Sequence, residues 1–403
     1  MFAYALAHSP STFYLAQVLA ERGYSVEILI NKQGYMEVTF PNPEIRVLSM
    51  GTPVFQPSVK NIDSPSSSDN SKERRNQRSS SFLIPLWMQL LGRFAFWLLP
   101  IWIRRNYSFV IGIESEGVFV ASLLNLFKPY PLIYYSMELR LSGENDEDVE
   151  TSWRVPKRLE RWAHQRSQFT LIQDQERAAI LSRENKVDLS KFLIVPAGMK
   201  GPQVTSPSSY LYKKLKIPEY CKIVLYAGNI APWSLIYDVA RTVHKWPQPW
   251  VLVVHGFVSD PEYASQITGF GSNGRVFLST ELLSNEAMDN MVRSAHVGLA
   301  LYKAVGTNFR LTASASSKTA QYLKCRLPVI VSGFESTRKV IEAYGCGICV
   351  ENPSEVPQAV HQLENDYETY ARNTEMCYLD CFQIDPWLNK ALDDVEARIT
   401  HPI

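Results

Sequence analysis

The chain has 403 residues, 46% of them apolar and 20% charged, with a formal net charge of +1. Those proportions are those of a globular protein with room for two or three domains, each with its own core. The near-neutral balance gives no global electrostatic reason to expect nucleic acid. The N-terminus lacks a basic region before its apolar start, so no signal peptide is expected.

Strand and helix alternate along the chain. Phe2 to Ala7 is a short apolar run ended by His8-Ser9-Pro10-Ser11. Phe13, Leu15, Ala16, Val18, Leu19 and Ala20 follow at helical spacing, with Gly23 as the stop. Val26 to Ile30 is a second strand; Phe109 to Ile113 and Leu132 to Tyr135 are two more, separated by an apolar helix around Val118 to Leu126. A helix over Pro156 to Arg166 leads to a strand at Phe169 to Ile172. Such alternation implies a parallel sheet covered by helices on both faces.

Residues 201–220 carry prolines, serines and lysines without clear periodicity, and the alternation then starts afresh. Ile223 to Ala227 is a strand, Gly228-Asn229-Ile230-Ala231-Pro232 a loop, and Leu235 to His244 a helix. Strands follow at Trp250 to Val254, Val276 to Leu278, Val297 to Leu301 and Val329 to Val331. The economical description is two doubly wound Rossmann-like halves, 1–203 and 204–385, with a last helix in 386–403. The first strand of each half ends in a turn rich in small residues, the usual place for a ligand crevice.

Six cysteines, Cys221, Cys325, Cys346, Cys349, Cys377 and Cys381, lie in the second half, a sparse usage that suits a reducing compartment. Cys346-x-x-Cys349 and Cys377-x-x-x-Cys381 could offer four thiolates to zinc. Gly345 to Val350 runs into an apolar strand-like segment, however, where small buried thiols are common, and no metal is expected. Asp146-Glu147-Asp148 has the Asp-x-Asp pattern of metal-dependent sugar transferases but sits in an acidic run without a preceding strand; it reads as a solvated loop.

The stretch Ala315-Ser316-Ser317-Lys318-Thr319-Ala320-Gln321-Tyr322-Leu323 reads as a serine-rich loop opening a short helix before a buried strand. Serines cap the free N–H groups, and the positive end of the dipole faces outward. A lysine is unfavourable there unless an anion is bound, so Ser316, Ser317 and Lys318 read as a seat for a phosphate or diphosphate. The competing reading is an ordinary capped helix with a solvated lysine.

Several segments together carry a family resemblance. They are Leu19-Ala20-Glu21-Arg22-Gly23-Tyr24-Ser25-Val26, Val224-Leu225-Tyr226-Ala227-Gly228-Asn229, Ser316-Ser317-Lys318, Tyr322-Leu323-Lys324-Cys325-Arg326-Leu327-Pro328-Val329-Ile330 and Tyr344-Gly345-Cys346-Gly347. The chain resembles the GT-B-fold glycosyltransferases, in the large retaining group of bacterial polysaccharide and glycolipid sugar transferases. The resemblance covers most of the chain and is weakest across 50–105. It implies a metal-independent, hexosyltransferase-like enzyme whose second half binds a nucleotide-sugar donor and whose first half presents a saccharide or lipid-linked acceptor. The donor is a co-substrate and no cofactor is expected. The last helix, with Trp387, Leu388, Leu392, Val395 and Ile399, would cross back to the first half.

A departing diphosphate needs positive charge and helix N–H groups, which Ser316, Ser317 and Lys318 fit. Gly228 and Asn229 would let the backbone approach the donor, and His255-Gly256 ends the next strand at the nucleotide pocket. Plain turn geometry for the glycines and a satisfied loop histidine are the alternatives. Two glutamates that the family commonly carries are replaced by Ala313 and Gln321, and the usual Arg and Lys by Ala231-Pro232-Trp233-Ser234. Gln321 can still hydrogen-bond a hydroxyl, and Lys303 or Arg310 are substitute diphosphate partners. These departures keep open a catalytically impaired GT-B-like protein that serves as a binding or assembly partner in polysaccharide synthesis.

On the acceptor side the candidates are His8, after the first strand, and Glu138, after Tyr134-Tyr135-Ser136-Met137. Glu138 could orient or deprotonate an acceptor hydroxyl; an ion pair with Arg140 or a helix cap is the alternative. Residues 57–81 are polar, low in complexity and basic toward their end, the composition of a mobile insertion. The apolar, Trp-rich stretch 82–103 follows; Gln89, Arg93, Pro85 and Pro100 argue against a membrane span. It reads either as a core helix or as an interfacial anchor on the inner face of the membrane. The expected location is cytoplasmic, with peripheral membrane contact if the anchor reading holds.

Overall fold

The short apolar runs become strands of two separate parallel sheets, because each is too brief for a helix and is followed by a helix that covers it. The computed structural model describes residues 2–3, 10–30, 40–50, 86–142 and 155–400. His8, the 57–81 segment and Asp146-Glu147-Asp148 therefore lie outside the described residues.

In the first half, β1 (Phe2–Ala3), α1 (Pro10–Glu21), β2 (Val26–Ile30), β3 (Ile45–Ser49) and α2 (Leu86–Arg104) come first. They are followed by β4 (Val110–Ile113), α3 (Glu114–Leu124), β5 (Leu132–Tyr135), α4 (Lys157–His164), β6 (Phe169–Ile172), α5 (Gln175–Asn185) and β7 (Phe192–Ile194). The seven strands lie in the order β3-β2-β1-β4-β5-β6-β7, with the pairs parallel throughout. The order reverses between β1 and β4, which opens a crevice beyond the carboxyl ends of those strands.

The second half begins with α6 (Tyr210–Leu215), β8 (Lys222–Ala227), α7 (Ile236–Ala240), β9 (Trp250–His255), α8 (Pro261–Thr268), β10 (Val276–Ser279) and α9 (Asn285–Val292). Then come β11 (Val297–Ala300), α10 (Thr307–Arg310), α11 (Ser317–Lys324), β12 (Val329–Ser332), α12 (Glu335–Tyr344), β13 (Gly347–Val350), α13 (Val356–Asn365), α14 (Tyr367–Cys377) and α15 (Ile384–Thr400). Its sheet runs β10-β9-β8-β11-β12-β13, also parallel, and reverses between β8 and β11. The strands are buried on both faces, so they read as continuous apolar runs such as Val251-Leu252-Val253-Val254.

The expected helix over Leu235 to His244 is shorter in the structure. It ends at Ala240, and Val243–Lys245 forms a 3₁₀ turn. Thr242 Oγ1 donates to Val239 O at 2.8 Å and accepts from Trp246 Nε1 at 3.1 Å. That hydroxyl competes with the helical ladder and draws Trp246 into the core.

The final helix, α15, leaves the second half and packs on the first. Ile384, Leu388, Ala391, Leu392 and Val395 are buried in one cluster with Leu15, Leu19, Ile28 and Val195. Arg22 fixes its outer face by ion pairs to Asp393 and, at 2.9 Å, Glu396. From the stretch 82–103 the structure describes α2, one face of which is core: Leu91, Phe94, Leu98 and Trp102 are buried in one cluster with residues of β4 and α3, the helix on which α2 packs.

Candidate active site

At the start of α11, Ser316 is extended and its Oγ accepts from Thr319 N at 3.3 Å. Thr319 Oγ1 lies 3.0 Å from the same oxygen and Tyr302 OH 3.1 Å. This is an N-cap that holds the first turn rigid. Ser317 is the first helical residue, half-buried at the same terminus.

Lys318 then reaches back over the end of β8. Its Nζ stands 3.8 Å from the ring centroid of Tyr226 and 5.2 Å from that of Tyr302. A Cβ placed on Gly228 would meet Lys318 Cε and Nζ at 2.8 Å, so the glycine makes the channel through which the lysine passes. Tyr226 OH donates to Asn229 O at 2.5 Å, which fixes the ring. Trp233 stacks on Tyr302 at 6.2 Å and 10°, and Phe309 closes the cluster at 5.5 Å from Trp233. Aromatic faces attract a cation but do not neutralise it. Among the described residues no carboxylate pairs with Lys318, and burial pulls its pKa down to about 7.

The loops after β8 and β9 interlock by backbone. Gly228 N donates to His255 O at 2.9 Å, and Gly256 N to Ser279 O at 3.0 Å. Gly256 has φ +154°, and a Cβ there would lie 1.7 Å from Gly228 O. The two glycines are required by this close approach. The His255 ring is buried beside Ser279 Oγ, 3.0 Å from its Nδ1, and burial lowers its pKa. Its side chain is a core group, while its carbonyl serves the loop. Asn229 Oδ1 is buried and has no hydrogen-bond partner among the described residues.

Gln321 faces α9, with Nε2 donating to Asp289 Oδ1 at 3.3 Å. Arg310, exposed at the end of α10, has no ion pair among the described residues; its carbonyl accepts from Ser336 Oγ at 2.7 Å. The structure thus brings Gly228, Asn229, Gly256, Ser316 and Lys318 together, with Arg310 exposed next to Phe309 of the aromatic cluster.

Across the cleft, β4 turns into α3 with no intervening loop, at the cost of φ +58° at Glu114. A non-glycine residue in that region stores strain. The half-buried Glu114 carboxylate accepts from Met137 N at 3.1 Å and Glu138 N at 3.2 Å through one oxygen. Burial, and then the charges of Glu138 and Glu116, hold its pKa well above the ordinary carboxylate value. Glu138 itself is exposed at the same turn. Arg140 donates to Ser115 Oγ at 2.8 Å and stands 3.9 Å from Glu116, so its partner is not Glu138.

The two halves meet beside this turn. Asn308 Oδ1 on α10 accepts from Leu139 N at 3.0 Å and Arg177 Nη2 at 2.7 Å. Arg177, 1% exposed, also donates to Met137 O at 2.9 Å and Leu311 O at 3.1 Å. Ala197 N donates to Ser314 O at 2.8 Å. The loop that leads into α11 is therefore pinned against the first half.

Comparison with known proteins adds to this geometry. Sucrose-phosphate synthase from Thermosynechococcus elongatus superposes with a TM-score of 0.71 at 15% identity, over 99% of this chain and 96% of that one. HepE of Anabaena, in complex with UDP and glucose, gives 0.69 at 11%, over 98% and 99%. WaaG, a glycosyltransferase involved in lipopolysaccharide biosynthesis, gives 0.65 at 13%, over 98% of each chain.

The chain has the GT-B glycosyltransferase fold.

Within the GT-B fold, residues 272–379 match the family model described as glucosyltransferase 3-like, C-terminal domain. That span holds α11 with Ser316, Ser317 and Lys318. No curated protein matches the sequence. Among the described residues no group of His, Cys, Asp and Glu could hold a metal ion, and no helix is long and apolar enough to cross a membrane.

Sequence reasoning missed Glu114, Arg177 and Asn308. Nothing about a glutamate marks a left-handed backbone, and Arg177 and Asn308 meet across 131 positions.

Proposed function

We propose that this protein transfers a sugar from a nucleoside diphosphate donor, seated in its second half, to a saccharide or lipid-linked acceptor presented by the first. The observation that carries the reading is Lys318: a lysine at a capped helix start, held by aromatic faces and short of a counter-anion. A diphosphate at the α11 terminus would complete it, with the first-turn N–H groups and the ammonium sharing the phosphoryl oxygens. As the bond to the sugar breaks, charge grows on the leaving diphosphate, and these fixed donors stabilise it. Gly228 clears the path of the Lys318 side chain, and Gly256 lets the two loops close on each other, which holds the ammonium at the α11 terminus.

We read the transfer as metal-independent, since Lys318 and the helix terminus supply the positive charge that a divalent ion supplies elsewhere, and as retaining, in line with the resemblance. Glu114 and Glu138 then orient the acceptor hydroxyl. The crystallised relative HepE binds UDP and UDP-glucose, and uridine diphosphate sugars head the donor classes to try. We place the protein in the cytoplasm on the same reading. The comparisons do not favour the impaired binding partner as an alternative.

The test is thermal stabilisation by a panel of nucleoside diphosphates and their sugars, with Lys318→Ala alongside. A ligand that binds only the folded state raises the melting temperature. A shift with one nucleotide that the variant loses supports the reading. No shift with any of them at millimolar concentration overturns it.

A further inference from the structure

Twelve large apolar side chains are exposed among the described residues, and five lie on α2 and just after α3: Met88, Phe96 and Ile103 along the helix, and Leu126 and Phe127 beside its end. Phe96 is 79% exposed, and Leu126 and Phe127 are 65% and 67%. Steps of eight and seven residues place Met88, Phe96 and Ile103 on one side of α2, away from the face that buries Leu91, Phe94, Leu98 and Trp102. The two apolar segments are tied together. Lys128 Nζ donates to Ile103 O at 3.1 Å and Arg105 O at 2.6 Å, and Trp102 Nε1 donates to Lys128 O at 2.8 Å.

The rim of this face is cationic. Arg93 and Arg104 are exposed along α2; Arg105, just past its end, pairs with Glu27 at 3.4 Å, and the half-buried Lys128 ammonium is held by the carbonyls of Ile103 and Arg105. Between residues 86 and 131 the only carboxylates are Glu114 and Glu116, both in the first turn of α3. That turn lies at the other end of α3 from Leu126 and Phe127.

We propose that this face of α2, with the Leu126-Phe127 turn, seats the protein on a bilayer containing anionic lipid. Phe96, Ile103, Leu126 and Phe127 enter the acyl boundary, and the basic rim pairs with headgroups. The helix lies on the surface and does not span it, since Arg93 and Pro100 interrupt its apolar run. α2 and α3 are the crossover helices before and after β4, so both start at the carboxyl ends of the strands, where the cleft is, and finish at the amino ends. Ile103 and the Leu126-Phe127 turn therefore lie at the amino ends of the strands, and the stripe runs from there along α2 to Met88 at the cleft end. The consequence for a lipid-linked acceptor rests on the proposed transfer; the surface itself does not.

The experiment is co-sedimentation of the full chain with vesicles of phosphatidylcholine alone or mixed with phosphatidylglycerol, without any nucleotide. Vesicle binding and nucleotide binding are thus separate results, and either can fail alone. The wild type is expected to pellet with the anionic vesicles and to be released by salt. Phe96→Ser with Phe127→Ser, and Arg93→Gln with Arg104→Gln, should each weaken binding roughly tenfold with an unchanged melting temperature. The proposal is overturned by no pelleting on anionic vesicles or by equal pelleting of the Phe variant. A wild-type dimer in light scattering that the Phe variant converts to monomer would also overturn it, assigning the face to a second copy.

Discussion

The Lys318 ammonium lies 3.8 Å from the ring centroid of Tyr226, and no carboxylate among the described residues offsets its charge. Tyr226 is locked by its bond to Asn229 O, and Tyr302, on the other flank, by Ser316 Oγ. The loop after β8 and the cap of α11 are thereby one unit. An anion that binds Lys318 is sensed by both.

Lys318→Ala should lower nucleoside diphosphate affinity by roughly 10- to 100-fold, the weight of one or two hydrogen bonds to a charged group. Calorimetric titration of the wild type and the variant with UDP checks it. Equal affinities would separate Lys318 from the donor.

Lys318 also makes binding depend on pH. Its folded pKa is drawn down from 10.5 to about 7 by burial, and a bound diphosphate would raise it again. Donor affinity should therefore fall as pH rises above about 7, with proton uptake on binding. For the unliganded protein the sign is opposite. Between pH 7 and 10.5 the unfolded chain holds more protons at this residue, so stability rises with pH across that window. Melting curves of the wild type against Lys318→Met read that slope; parallel curves would contradict it.

Glu114→Gln should leave donor binding intact and reduce turnover, because the carboxyl sits on the acceptor side, bonded to the turn that carries Glu138. Its folded pKa is raised above its ordinary 4.5, first by burial. A group raised in this way contributes stability that is fully present below its unfolded pKa and is lost as pH rises through the folded value. The wild type should thus lose stability relative to Glu114→Gln on going from acid toward neutral pH. A variant with wild-type turnover, or with the same pH–stability profile, would remove Glu114 from this role.

Gly256→Ala should destabilise the second half by about 4 kcal/mol, since a Cβ collides with the Gly228 carbonyl and the backbone is unfavourable for an L side chain. Chemical denaturation measures it. A loss under 1 kcal/mol, on the order of an ordinary surface change, would mean that the loops can separate.

Asn308→Ala strips the buried Arg177 guanidinium of its side-chain partner across the seam. The expected cost is about 3 kcal/mol, as for a buried charge left short of hydrogen bonds. The melting temperature should drop, and small-angle scattering should show a larger radius of gyration as the halves part. An unchanged radius would mean that the remaining contacts, α15 and the Ala197–Ser314 bond among them, suffice to hold the halves together.

What could be read from the residues, and what could not, follows from where each signal originates. β8, β9 and β12 were legible because a central parallel strand is buried on both faces and must be apolar throughout. β3 and β7 were not: as edge strands they are only partly buried, and Ile45-Arg46-Val47-Leu48-Ser49 and Phe192-Leu193-Ile194 carry too few core positions to stand out. The stretch 82–103 was ambiguous between core and surface for a good reason, since α2 presents a buried face and an exposed apolar one.

By itself, the sequence determined the βα alternation, the restart after residue 220, the glycine turns and the capped helix with its lysine. All of these arise from local rules of spacing, backbone freedom and hydrogen bonding, which act over a few residues. Only the tertiary structure decided that Lys318 rests on Tyr226 and Tyr302 and that His255 turns inward to Ser279. It also decided that Glu114 is strained beside Glu138 and that Asn308 clamps Arg177. These depend on which chain segments meet across the sheets and the cleft, and burial shifts a charge only once those segments have closed around it.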